Sequence, residues 1–78
     1  MLKEIQEWID CELKARETKP FIYQGNFIRI SDGWLDGLRF ALNNQSNVKE
    51  KFESLNVDLA NDYYGYGYYN ALKTVLEK

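Results

Sequence analysis

The sequence predicts a small α+β domain that is mainly α-helical: an N-terminal helix, a short β-hairpin and then three helices. Three observations carry this prediction. Apolar residues recur at helical spacing near the N-terminus, two β-rich runs flank a Gln-Gly-Asn tripeptide, and leucine-containing helical stripes follow residue 31. With 78 residues the chain fits one domain, residues 1–78, with a modest core.

The first predicted helix spans residues 2–16, and it ends before Pro20 because the residue preceding a proline avoids the α-helical region. Its apolar stripe consists of Leu2, Ile5, Trp8, Ile9 and Leu13. Residues 21–30 are rich in aromatic and β-branched side chains on both sides of the Gln-Gly-Asn tripeptide, which predicts the hairpin. Two isolated strands are marginal in water, so this hairpin must pack on the helices or pair with another chain.

Three helices are predicted after the hairpin. Ser31 is the predicted N-cap of a helix over residues 32–44. A third helix starts at Asn47, where Asn47 and Glu50 form a variant of the capping box. The last helix runs from about residue 61 to residue 77 and carries leucine and valine on its apolar face.

Two segments of these helices, residues 33–42 and 67–76, align without gaps at an offset of 34 residues. Both contain a small residue four positions after a glycine, which on a helix allows another backbone to approach closely. The four small residues are Gly33, Gly37, Gly67 and Ala71. Two interpretations are open: the two helices pack inside one core, or the small residues form a groove for a partner helix. Membrane helix association is excluded by the charges nearby.

The repeated motif, Gly-aromatic-x-[Asp/Asn]-[Gly/Ala]-Leu-[Arg/Lys], starts at Gly33 and again at Gly67. It resembles a motif of small proteins that are encoded by phages and prophages of low-GC Gram-positive bacteria. The resemblance implies a non-enzymatic accessory protein that binds or inhibits a host protein. It implies no particular site residue.

The composition excludes most catalytic chemistry. The chain has no histidine, which removes the usual general base and every Ser-His or Cys-His arrangement, and its one cysteine, Cys11, has two acidic neighbours that disfavour a thiolate. A small metal-dependent enzyme is the third hypothesis, because two aspartate pairs have a helical spacing of four: Asp32/Asp36 and Asp58/Asp62. Aspartates near helix starts more simply cap the backbone. We therefore expect no catalytic residue, cofactor or metal.

The charge balance argues against nucleic acid as a partner, since the formal charge is −2 and phosphate binding needs clustered positive charge. The alternative function is nevertheless a small nucleic-acid-associated protein that uses a mild basic patch. Its residues would be Arg16, Lys19, Arg29 and Arg39.

The chain contains twelve aromatic residues, and most of them fall on predicted core stripes or in the hairpin. Three do not: Tyr63, Tyr66 and Phe40. Exposed aromatic side chains are typical of binding surfaces, so these three form the candidate interaction surface. The alternatives are that they pack in a second face of the core or stack on nucleic-acid bases. We expect a protein–protein interaction module whose partner is a second copy of itself, a host protein, or both.

The chain also lacks the signals of export. Its N-terminus has charges every few residues and no apolar signal segment, and a single free cysteine suits a reducing compartment. We expect a protein of the bacterial host cytoplasm that has no membrane partner.

Overall fold

The computed structural model describes all 78 residues and contains four α-helices and no strand. The helices are α1 (Leu2–Thr18), α2 (Gly25–Asn43), α3 (Val48–Ser54) and α4 (Tyr63–Leu76). One 3-10 turn, Gln45–Asn47, leads into α3. The protein is therefore all-α, and the predicted α+β class is wrong.

The predicted β-hairpin at residues 21–30 is the source of that error. The chain turns at residues 20–23 and α2 already begins at Gly25. Gly25 has φ +55°, a left-handed conformation that glycine adopts without a Cβ penalty, so the chain can enter the helix abruptly. The β-rich composition of this stretch is overridden by packing, because the backbone of Ile30 lies directly against α4 at Gly67.

The helix starts also differ from those predicted. Ser31 is buried inside α2 rather than capping it, and its hydroxyl donates to Oε2 of Glu12 at 2.7 Å. Asn47 does occupy the N-cap position of α3, but its side chain makes no capping hydrogen bond. The first residue of α4 is preceded by Asp62, whose Oδ1 accepts from the N–H of Gly65 at 2.8 Å.

All four α-helices contribute to one buried apolar cluster. Its members are Ile5 and Ile9 from α1, Leu35, Leu38 and Ala41 from α2, Val48 from α3, and Ala71 and Leu72 from α4. The most extensive interface is the one between α2 and α4, while α1 packs on α2 and α3 packs on α4. The α2–α4 pair is therefore the centre of the fold, and the other two helices flank it.

Candidate functional site

The closest approach between α2 and α4 occurs at the small residues that the sequence repeats. A Cβ added to Gly33 would overlap the carbonyl oxygen of Tyr64, and a Cβ added to Gly67 would overlap the carbonyl oxygen of Ile30. The two backbones therefore touch, and no larger side chain fits at either glycine without displacing a helix. We name these residues the glycine seam: Gly33, Gly37, Gly67 and Ala71.

The contacts across the glycine seam are reciprocal. The Cβ position of Gly33 also lies 2.9 Å from the backbone nitrogen of Tyr68, and that of Gly67 lies 2.8 Å from the backbone nitrogen of Trp34. Residue numbers in the two contacts differ by 34: Gly33 corresponds to Gly67, and Trp34 corresponds to Tyr68. The carbonyl contacts follow the same rule, because Ile30 corresponds to Tyr64. Reciprocity of this kind defines a two-fold axis, so α2 and α4 are related by an internal pseudo-two-fold axis.

The two helices also run in the same direction where they touch. The Cβ position of Gly33 meets Tyr64, whereas that of Gly37, one turn later, meets the Cβ of Ala71 at 2.7 Å. A step along α2 is therefore matched by a step in the same direction along α4. Residues 44–62, which include α3, return the chain to the start of this parallel pair.

The three residues of the candidate interaction surface lie in different environments. Tyr66 is 39% exposed on α4, and Tyr63 is half-buried on the same helix. Phe40, on α2, packs against the core cluster, and Nζ of Lys51 from α3 lies 5.5 Å from its ring centroid. Of the three, Tyr66 therefore presents the most open surface, and α3 covers Phe40.

A larger exposed apolar surface lies at the turn between α1 and α2. Phe21 is 71% exposed, and Ile22 and Phe27 are each 43% exposed. We name these three residues the turn patch. The sequence pattern assigns these residues to the expected hairpin, where aromatic and β-branched side chains are common. It therefore does not identify them as exposed surface residues.

The most perturbed titratable group is Tyr64 at the end of the glycine seam. Its hydroxyl donates a 2.5 Å hydrogen bond to Oδ2 of Asp36 on α2. That bond, together with burial, raises the pKa of Tyr64 from 10.0 to about 12, because ionisation would place a phenolate beside a carboxylate. Burial, with a smaller effect of Asp36, also raises the pKa of the neighbouring Tyr68.

Polar contacts fix α1 on α2. Besides the bond from Ser31 to Glu12, Nη1 of Arg16 donates to Oδ1 of Asp32 at 2.9 Å. The guanidinium of Arg16 also lies 5.9 Å from the ring centroid of Tyr23 in the turn. Burial raises the pKa of Tyr23, and so does a hydrogen bond with Glu12. These contacts hold the turn between the two helices in one orientation.

Two of the four basic residues of the nucleic-acid alternative, Arg16 and Arg39, lie beside aspartates, while Lys19 and Arg29 are exposed elsewhere. Arg16 is paired with Asp32, and Nη1 of Arg39 lies 3.7 Å from Oδ1 of Asp36. Both arginines line an open cleft of about 620 Å³ that also contains Glu17 and the two aspartates. Negative charges in the same cleft reduce its attraction for phosphate.

The aspartates of the metal hypothesis each serve another contact. Asp32 and Asp36 accept from Arg16 and Tyr64, while Asp58 accepts hydrogen bonds within its own turn and Asp62 caps α4. Cys11 is exposed and unpaired. No group of three or more Asp, Glu, Cys or His side chains has an arrangement that could hold a metal ion.

Comparison with protein-family models, with curated proteins and with solved structures gives no match. The resemblance to small phage proteins therefore stays a prediction. None of the four α-helices combines the length and the apolar character that crossing a membrane requires.

Proposed function

We propose that the chain is a protein-binding module without catalytic activity, as the resemblance to phage accessory proteins also implies, and that the turn patch is its binding surface. The exposure of Phe21 is the observation that carries this proposal. At 71% it is the most exposed of the large apolar side chains, and Ile22 and Phe27, close to it in sequence, are also exposed. Apolar residues exposed together in this way are typical of interaction sites.

The turn presents these side chains in a fixed arrangement. The N–H of Ile22 donates to the carbonyl of Lys19 and that of Tyr23 to the carbonyl of Pro20, both at 3.1 Å. The rings of Tyr23 and Phe27 lie with their centroids 5.1 Å apart. The backbone of the turn therefore loses little conformational entropy when a partner covers Phe21. Burying such a ring contributes about 2 kcal/mol to the free energy of binding.

The partner is either a second copy of this chain or a host protein, and Phe21→Ser tests both. The variant removes the largest single share of the exposed apolar area of the turn patch, at a site with little packing to lose. We expect it to abolish self-association in sedimentation velocity at high micromolar concentration, or to abolish capture of a defined host protein. The fold should stay intact by circular dichroism.

Leu59→Ser is the matched control, because Leu59 is 46% exposed and belongs to the connection before α4 rather than to the turn between α1 and α2. This control should associate like the wild type. Tyr66→Ser tests the surface predicted from the sequence in the same assay. Association that survives Phe21→Ser but is lost in Tyr66→Ser would contradict the assignment to the turn patch, and a strict monomer that captures no protein would contradict the whole proposal.

A further inference from the structure

Beside the turn patch, a cleft of about 350 Å³ opens between α1 and α4, with α2 as its floor. The apolar part of the lining comes from α2, with Phe27, Ile30 and Trp34, and Asn70 and Thr74 contribute from α4. Phe27 belongs both to this cleft and to the turn patch, so the two surfaces are continuous. We name it the Trp34 cleft.

The internal pseudo-two-fold axis relates this cleft to a site that is occupied by a lysine side chain of the same protein. On the other side of the α2–α4 pair, the ammonium of Lys51 lies 5.5 Å from the ring centroid of Phe40 and 6.0 Å from that of Tyr68. The shift of 34 residues converts Tyr68 into Trp34 and Phe40 into Thr74. The position equivalent to the Lys51 ammonium therefore lies in the Trp34 cleft, between two residues that line it.

The lining of the Trp34 cleft has the charge that a cation requires. Glu12 is its only charged residue, and no lysine or arginine lines it. The Glu12 carboxylate accepts one bond from Ser31 at 2.7 Å and another from the hydroxyl of Tyr23. A carboxylate has about four acceptor positions, so it can still receive a further donor. Trp34 adds the aromatic side chain that attracts cations most strongly.

We infer that the Trp34 cleft binds a lysine or arginine side chain of the protein partner, in the position that Lys51 occupies on the other side of the molecule. The inference rests on the proposed function, since it supplies the specificity that the apolar turn patch lacks. A partner seated on Phe21 and Phe27 would insert its basic side chain beside Trp34. The ammonium or guanidinium then faces the indole ring and the Glu12 carboxylate.

Peptide titration followed by NMR tests the inference on the intact chain. The probe is acetyl-Leu-Lys-Leu-amide, and its control replaces lysine with norleucine, which has a similar apolar stem and no charge. We expect the lysine peptide to shift the indole N–H signal of Trp34 and to bind about fivefold more tightly than the norleucine peptide, as a cation–π contact of moderate strength predicts. The indole signal of Trp8, which lies outside the cleft, should not respond.

Glu12→Gln separates charge from shape, because glutamine can still accept the hydrogen bond of Ser31. We expect this variant to lose the preference for lysine, whereas Glu7→Gln, an exposed change elsewhere on α1, keeps it. Equal binding of the two peptides, an unshifted Trp34 signal, or a preference that survives Glu12→Gln would each overturn the inference. Loss of association in Phe21→Ser together with any of these results would leave the turn patch standing and remove only the cation site.

Discussion

At Gly33 we expect the addition of a single methyl group to lower the stability of the fold. In Gly33→Ala the new methyl group overlaps the carbonyl of Tyr64, so α2 and α4 must separate. Overpacking of this kind costs about 1–3 kcal/mol of stability. Alanine has a higher helix propensity than glycine, which returns about 1 kcal/mol and offsets only part of a cost at the upper end of that range. We expect the free energy of unfolding in urea to fall by about 2 kcal/mol, because the obstacle is backbone and cannot rotate away.

Gly25→Ala is the informative comparison, because no atom lies within 4 Å of its Cβ position and only the φ of +55° opposes the change. That conformational penalty is about 1 kcal/mol. Gly25→Asn should cost less, since asparagine tolerates the left-handed region. A Gly33→Ala variant that is as stable as the wild type would contradict the close approach of the two helices.

Tyr64 gives the chain a defined response to alkaline pH. Its folded-state pKa of about 12 lies above the ordinary value of 10.0, so the neutral phenol is favoured by folding. The stabilisation is fully present below pH 10 and is lost as the pH rises toward 12. A titration of ¹³Cζ-labelled tyrosines by NMR should find one ring that ionises near pH 12.

Asp36→Asn should lower the pKa of Tyr64 toward its ordinary value, because the hydrogen bond to a carboxylate is the largest cause of the shift. Glu77→Gln removes a carboxylate at the C-terminal end of α4 and should leave that titration unchanged. If Tyr64 titrated near pH 10 in the wild type, its bond to Asp36 would not persist in solution.

At the scale of elements, periodicity predicted α1 and α4 well and failed at the start of α2. The predicted helix over 32–44 captured the C-terminal part of α2, but the hairpin was assigned to residues that extend the same helix. The stripe that faces α4 in fact continues upstream from Gly33 to Ile30 at helical spacing. Local β propensity predicts a strand there, because the contact that stabilises the helix at Ile30 is with Gly67, 37 positions away in the sequence.

The start of α4 depends on Asp62. We expect Asp62→Ala to lower the free energy of unfolding by about 1 kcal/mol, since the N–H of Gly65 loses its acceptor. Asp62→Asn keeps an oxygen in the same position and should remain close to the wild type in urea denaturation. Equal stability of all three chains would mean that the cap contributes nothing measurable to α4.

At the scale of the whole molecule, the surface was less predictable than the helices. The sequence singled out Phe40 because it falls off its own helical stripe, but α3 supplies the cover that a single helix cannot reveal. Phe21, in contrast, is exposed although the sequence did not single it out, because it lies in a turn that the sequence predicts as a strand. Exposure is a property of the assembled helices, so it could not be read from either segment alone.

The reciprocal glycine seam makes α2 and α4 a tethered pair of similar helices. Two separate helices that recognised one another in this way would lose translational and rotational freedom, at a cost of about 4–15 kcal/mol on association. Here residues 44–62 join them, and tethers of modest length hold binding elements at effective concentrations on the order of millimolar. The pairing of α2 with α4 is therefore independent of how much of the protein a cell contains, and dilution acts only on the contacts that the chain makes with others.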